Sequence, residues 1–195
     1  MIDTRWRSRF EPIFNFLERN LVQFKIKPNT ITIVAFAIGL LSAIFIGFNK
    51  PMVALVLLWI SGLLDVLDGS VARLTGKSSA NGAYMDLIFD RLVEAFIILG
   101  FTILDPTNYL AYILFYISVI FNFTTFIVAG ALFKNVGTKS MHYDTGIAER
   151  TETFIVFSLM LIFKNHISPI LMVFNAIIFL TGTIRFYKVI KYSQV

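Results

Sequence analysis

Four aspartates stand where charge is costly. Asp65 and Asp68 lie three residues apart and Asp86 and Asp90 four apart, each pair set in a long apolar stretch. A charged side chain in such a stretch costs about 3 kcal/mol on membrane-insertion scales, so a purpose has to compensate it. Spacings of three and four put two side chains on the same helical face, one turn apart. The connection between the stretches is short, so two antiparallel neighbours are expected to turn their carboxylate pairs toward each other at one depth. Four carboxylates brought together raise one another's proton affinity. A divalent ion resolves that conflict, and oxygen-only donors select hard cations such as Mg2+ or Mn2+. Four carboxylates suffice for two ions with one bridging ligand, the arrangement that phosphoryl transfer commonly uses. The absence of histidine among them disfavours zinc.

Gly69, Ala72, Arg73 and Gly82 surround the acids. Small residues admit a ligand close to the helix backbone, and they equally permit close helix packing. Arg73 offers a fork of donors suited to phosphate, or an anchor in the aqueous boundary.

The elements that must position these groups are membrane helices. Of the 195 residues 57% are apolar and 15% charged, outside the usual range of a soluble domain. Apolar stretches at 30–48, 52–74, 81–104, 109–133, 151–163 with its flanks, and 169–190 predict six transmembrane helices, and backbone pairing in lipid requires helix throughout. The expected fold is all-α. The net charge of +5 does not point to nucleic acid, because the basic residues sort by side: 14, from Arg5 through Lys191, fall on the terminal side, against Lys50 and Lys164 opposite, with Arg91 inside a span. Both termini, and with them the acids, are expected on the cytoplasmic side of the plasma membrane. Residues 1–27 place Phe10, Ile13, Phe14, Leu17, Leu21 and Phe24 at helical spacing between charges. They predict a juxtamembrane amphipathic helix at the interface, with 28–195 forming the membrane domain. Pro28 and Asn29 are expected to break that helix and Thr30 to cap the first span. The interleaved charge of the first residues does not resemble a cleavable signal. The chain contains no cysteine, which removes disulfide and thiolate chemistry. The connection 134–150 is the one long enough to form a loop of its own.

Together the acids and their neighbours read Asp65-x2-Asp68-Gly69-x2-Ala72-Arg73-x8-Gly82-x3-Asp86-x3-Asp90. This resembles the signature of the CDP-alcohol phosphatidyltransferase family at all eight fixed positions with every spacing kept. The resemblance implies two metal ions per active site, held by Asp65, Asp68, Asp86 and Asp90, with Asp86 shared and Asp90 also acting as general base. It implies a CDP-lipid site made by Pro28, Asn29, Thr30 and Ile31 at the start of the first span, by Gly69, Ala72, Arg73 and Gly82, and by Ser79. The donor would be CDP-diacylglycerol or an archaeal CDP-lipid, the acceptor a small polar alcohol, the product CMP, and the assembly a homodimer among membrane lipids.

The opening Lys27-Pro28-Asn29-Thr30 looks like the branch that makes phosphatidylinositol phosphate and its archaeal counterparts, in which basic residues hold a phosphate on the acceptor. Val128, Ala129, Gly130 and Ala131 stand where that branch's basic fourth-span stretch would align, leaving Lys139, Arg150 and Arg185 as acceptor-phosphate donors. Arg150 pairing with a neighbouring glutamate and Arg185 snorkelling to headgroups are the competing readings. His142 and His166 lack companions at metal spacing. A proton- or cation-coupled transporter is the alternative function, since it too carries buried carboxylates.

Overall fold

The computed structural model describes residues 17–23, 26–132 and 150–192, and every regular element among them is helical. Residues 17–23 form a short helical stretch. The rest of the expected juxtamembrane helix, and the 134–149 part of the long connection with Lys139 and His142, lie outside the described residues. The helices are α1 (Pro28–Gly47), α2 (Pro51–Leu74), α3 (Ala80–Leu104), α4 (Tyr109–Leu132), α5 (Arg150–Ile162) and α6 (Ile167–Tyr192). Two compact units divide the chain, Met1–Pro106 and Thr107–Val195.

In the first unit α1 begins earlier than the sequence suggests. Pro28 occupies its first turn and Lys27 is the N-cap, without a side-chain cap bond. Thr30 is therefore not the cap. Proline lacks only an N–H that the first turn leaves unbonded anyway, and its fixed φ suits a helix start, so it opens this helix rather than breaking one. At the far end Asn49 takes φ 57° and Pro51 starts α2 at once. Asparagine tolerates that left-handed geometry, which makes the turn tight.

α1 packs along both α2 and α3, whereas α2 and α3 make little direct backbone contact. α2 and α3 still face each other across their acids, as expected, and α1 is the scaffold they share. Small residues make this possible. Ser61 Oγ donates to the Ala35 carbonyl and Ser42 Oγ to the Ala54 carbonyl, both at 2.8 Å. A Cβ on Gly39 would meet the Val93 methyls at 2.7 and 2.9 Å, and one on Gly100 would run into the Ala43 carbonyl. Phe36 and Phe89 stack with centroids 4.3 Å apart. Close approach through small residues is how membrane helices gain dispersion contacts when burial from water is not available to drive them together.

In the second unit α6 packs along α4 and touches α5. Asn175 Nδ2 donates to the Ala111 carbonyl at 2.9 Å, and Gly182 lets Phe121 approach, where a Cβ would stand 2.8 Å from the ring.

Among the described residues, four helical segments are long and apolar enough to cross a membrane: Pro28–Gly47, Pro51–Leu74, Pro106–Leu132 and Lys164–Lys191. α3, with 25 residues, has the length but carries Asp86, Asp90, Arg91 and Glu94, and the described α5 has 13 residues. Large apolar side chains such as Val56, Ile113 and Leu180 are exposed on the membrane-length segments, as lipid contact allows.

Candidate active site

Asp65 and Asp68 sit in the last three turns of α2, and Asp86 and Asp90 in the first three of α3. Asp65, Asp68 and Asp86 each offer a carboxylate oxygen, and the three oxygens all lie within 4.8 Å of one another. Asp68 is 5% exposed, and the other two are half-buried. Asp90 stands one turn beyond Asp86, about 6 Å along the axis, and is outside this trio. The structure thus brings three of the four expected acids together.

A cavity of about 210 Å3 opens beside them. Asp68 and Asp86 form part of its wall, with Gly69, Ala72 and Arg73 from α2 and Gly82 and Ala83 from α3. Pro28, Asn29 and Thr32 close it from the start of α1, and Lys77, Ser78 and Ser79 from the connection. The starts of α1 and α3 border this cavity and their helix dipoles bias it positive, and Arg73 and Lys77 add full charges. Anionic phosphate therefore suits one part of the wall and a cation the acidic part. Glycine keeps the space open: a Cβ on Gly82 would stand 3.2 Å from Asn29 Oδ1 and Ser79 Oγ, and one on Gly69 3.3 Å from Arg73 Nη1.

Local structure fixes these groups. The Ser79 hydroxyl accepts from the Gly82 N–H at 3.1 Å, capping α3 and leaving its own hydrogen to donate. Arg73 Nη2 donates to Ser70 Oγ at 3.1 Å, which steers the guanidinium along α2. Of the residues expected at a CDP-lipid site, Pro28, Asn29, Gly69, Ala72, Arg73, Ser79 and Gly82 line the cavity, while Thr30 and Ile31 do not. Ile31, 3% exposed, is packed inside the unit. Thr32 and Lys77 were missed, although each had a signal: Thr32 is one helical turn from Pro28, and Lys77 shares the five-residue connection with Ser79.

In the second unit Arg185 Nη1 donates to Asn122 at both the carbonyl oxygen, 3.1 Å, and Oδ1, 2.8 Å. Its guanidinium lies over the Phe126 ring, 5.2 Å from the centroid. It is tied to α4 and does not reach outward along lipid. Arg150 lies over the ring of Phe154, one turn away, at 5.3 Å.

A family model for CDP-alcohol phosphatidyltransferase matches residues 25–182, a stretch that contains the acids, the cavity and all of α1 to α5, and ends within α6. The chain belongs to the CDP-alcohol phosphatidyltransferase family. It is similar to the inner membrane protein YnjF of Escherichia coli, 32% identical over 196 positions that cover 96% of this chain and 95% of that one. It is also similar to the archaetidylinositol phosphate synthase of Pyrococcus horikoshii, 38% identical over 82 residues, 42% of this chain and 44% of the synthase. Among solved structures, phosphatidylinositol phosphate synthase of Mycobacterium tuberculosis with CDP-DAG bound shares the fold: the TM-score is 0.78 at 19% identity, covering 91% of this chain and 94% of that one. The same enzyme with manganese and citrate gives 0.76, covering 90% and 88%.

As a CDP-alcohol phosphatidyltransferase this chain is an integral membrane enzyme that transfers a phosphatidyl group from a CDP-linked lipid to an alcohol. Membership removes the transporter alternative. The donor set suits a small hard cation: oxygens bound to one such ion stand about 3.0 Å apart at right angles and about 4.2 Å apart when opposite, so a trio within 4.8 Å would draw in on binding.

Proposed function

We propose that Asp65, Asp68, Asp86 and Asp90 hold two Mg2+ or Mn2+ ions, and that the adjoining cavity receives the cytidine diphosphate end of the donor lipid. The observation that carries this reading is the convergence of Asp65, Asp68 and Asp86 at a cavity whose other walls carry Arg73 and Lys77. Bound ions would offset charge on the diphosphate oxygens and on departing CMP. Arg73 and Lys77 bind the same phosphates, the dipoles of α1 and α3 favour them, and Ser79 donates its hydroxyl hydrogen. Asp90, outside the trio, serves the acceptor in this reading: its carboxylate takes the hydroxyl proton, the acceptor oxygen bonds to the lipid-side phosphorus, and the bond to CMP breaks with its electron pair leaving on CMP.

The acceptor is a small polar alcohol that already carries phosphate, bound by Arg150 and Arg185 with Lys139. The archaetidylinositol phosphate synthase similarity and the fixed orientation of Arg185 on Asn122 support this. The chain crosses the membrane six times, the fifth crossing made by α5 with its flanks, both termini and the acids face the cytoplasm of the plasma membrane, and the enzyme is a homodimer. The charge asymmetry of the chain supports the orientation.

Purified enzyme with Mn2+ is expected to release CMP from CDP-diacylglycerol or its archaeal counterpart with inositol phosphate or glycerol phosphate, and far less with inositol or serine. Equal rates with the unphosphorylated alcohols would overturn the acceptor assignment while leaving the reaction class intact.

A further inference from the structure

α5 and α6 are joined through the 3-10 turn Lys164–His166, and their facing sides leave an open groove of about 630 Å3 lined almost wholly by apolar atoms. Val156 and Leu159 line it from α5. From α6, Phe174, 3% exposed, forms its floor, while Val173, 63% exposed, and Ile177 stand toward its open side. His166 closes the end where the turn lies, beside Lys164.

The groove's extent identifies its occupant. From His166 to Ile177 the chain rises about 16 Å, and the hydrocarbon of one leaflet is about 15 Å thick. The groove starts at the Lys164 end of the spanning segment Lys164–Lys191 and stops near its middle. A helix from a second copy would cross both leaflets and need a seam along the whole span. An acyl chain ends where this groove ends, and a phosphate at its mouth would meet an ammonium and an imidazole. The geometry points to a lipid-binding site in which one acyl chain of an anionic phospholipid, from the leaflet at the Lys164 end, lies between α5 and α6 with its phosphate at Lys164 and His166. This site is lined by none of the residues around the acidic cavity.

The test uses the full chain in phosphatidylcholine vesicles containing graded amounts of phosphatidylglycerol brominated on its acyl chains, with indole fluorescence as readout. Val173→Trp reports from the groove. Met172→Trp, on the next residue and 41% exposed but outside the groove, reports bulk lipid at the same depth. Emission of Trp6 and Trp59 is subtracted using the parent chain. Val173→Trp is expected to reach half-quenching at about fivefold lower brominated-lipid fraction than Met172→Trp, the effect of one cation near an anionic headgroup, and Lys164→Ala with His166→Ala is expected to remove the difference. Ile177→Trp replaces Val173→Trp if the latter does not fold. Identical curves at the two positions would overturn the site, as would a groove indole that no brominated lipid quenches, which would mean protein covers it. An equal preference for brominated phosphatidylcholine would overturn the headgroup contact.

Discussion

Asp68 and Asp86 bring carboxylate oxygens within 4.8 Å of each other from two helices that pack on α1 and scarcely touch one another. The separation of α2 and α3 is what leaves room between their acids. α1 sets that separation through Ser61, Gly39 and Gly100, residues with no chemistry of their own at the site.

The first consequence concerns stability. Two unit charges 4.8 Å apart repel by roughly 3.5 kcal/mol at an effective dielectric of ~20, and more when closer. Without divalent ions Asp68→Asn is therefore expected to unfold at a higher temperature than the parent enzyme. On adding Mn2+ the order reverses, because only the parent gains a full ligand set. Thermal melts of both proteins in detergent, with EDTA and with Mn2+, check this. An Asp68→Asn protein that stays less stable in EDTA would count against crowding of the acids.

Asp90 should separate chemistry from metal binding. Asp90→Asn is expected to lower kcat by about a hundredfold or more, the usual size of general-base loss, while a Mn2+-induced rise in melting temperature persists through the trio. Single-turnover CMP release beside the melts distinguishes this from unfolding. Full activity in the variant would remove Asp90 as the base.

Gly82 guards the cavity. A methyl group there would press on Asn29 Oδ1 and Ser79 Oγ, each 3.2 Å from the added carbon. Gly82→Ala is expected to raise KM for the CDP-lipid about tenfold, the low end of what a misplaced methyl costs in a fitted pocket, with a smaller change in kcat. Initial rates against donor concentration measure it.

Asn122 and Arg185 act as a unit. Asn122→Ala removes the acceptor of an ionised hydrogen bond and is expected to cost about 2 kcal/mol of stability. Arg185→Ala and Asn122→Ala together should cost less than the sum of the two single changes, which a double-mutant cycle of melting temperatures reads directly. Strict additivity would show that the contact contributes nothing.

The acids were legible in the sequence because helical spacing alone puts Asp65 with Asp68 and Asp86 with Asp90, and because charge in apolar surroundings is conspicuous. Seven of the residues that wall the cavity, Pro28 and Asn29 among them, came from the family resemblance, while Thr32 and Lys77 were missed. The role of α1 was not legible: glycine and serine in an apolar helix, such as Gly39 and Ser42, carry no periodic mark of which partner they approach. The start of α1 was misread for a related reason, since a proline can end one helix or open the next, and only the backbone at Lys27 decides. Arg185 likewise could reach lipid or a neighbouring helix, a choice made by Asn122, 63 residues away in sequence. The span count is visible by composition and length in four segments. α3 falls short of the same standard because it carries the acids that make it useful.

The measurement closest to the central claim is an anomalous-difference map from crystals of the enzyme grown with Mn2+. The expected result is manganese bonded at about 2.1–2.2 Å to oxygens of Asp65, Asp68 and Asp86, with Asp90 drawn in toward a second ion. Manganese bound elsewhere in the chain, with these carboxylates left out of its coordination in a protein that still releases CMP, would contradict it.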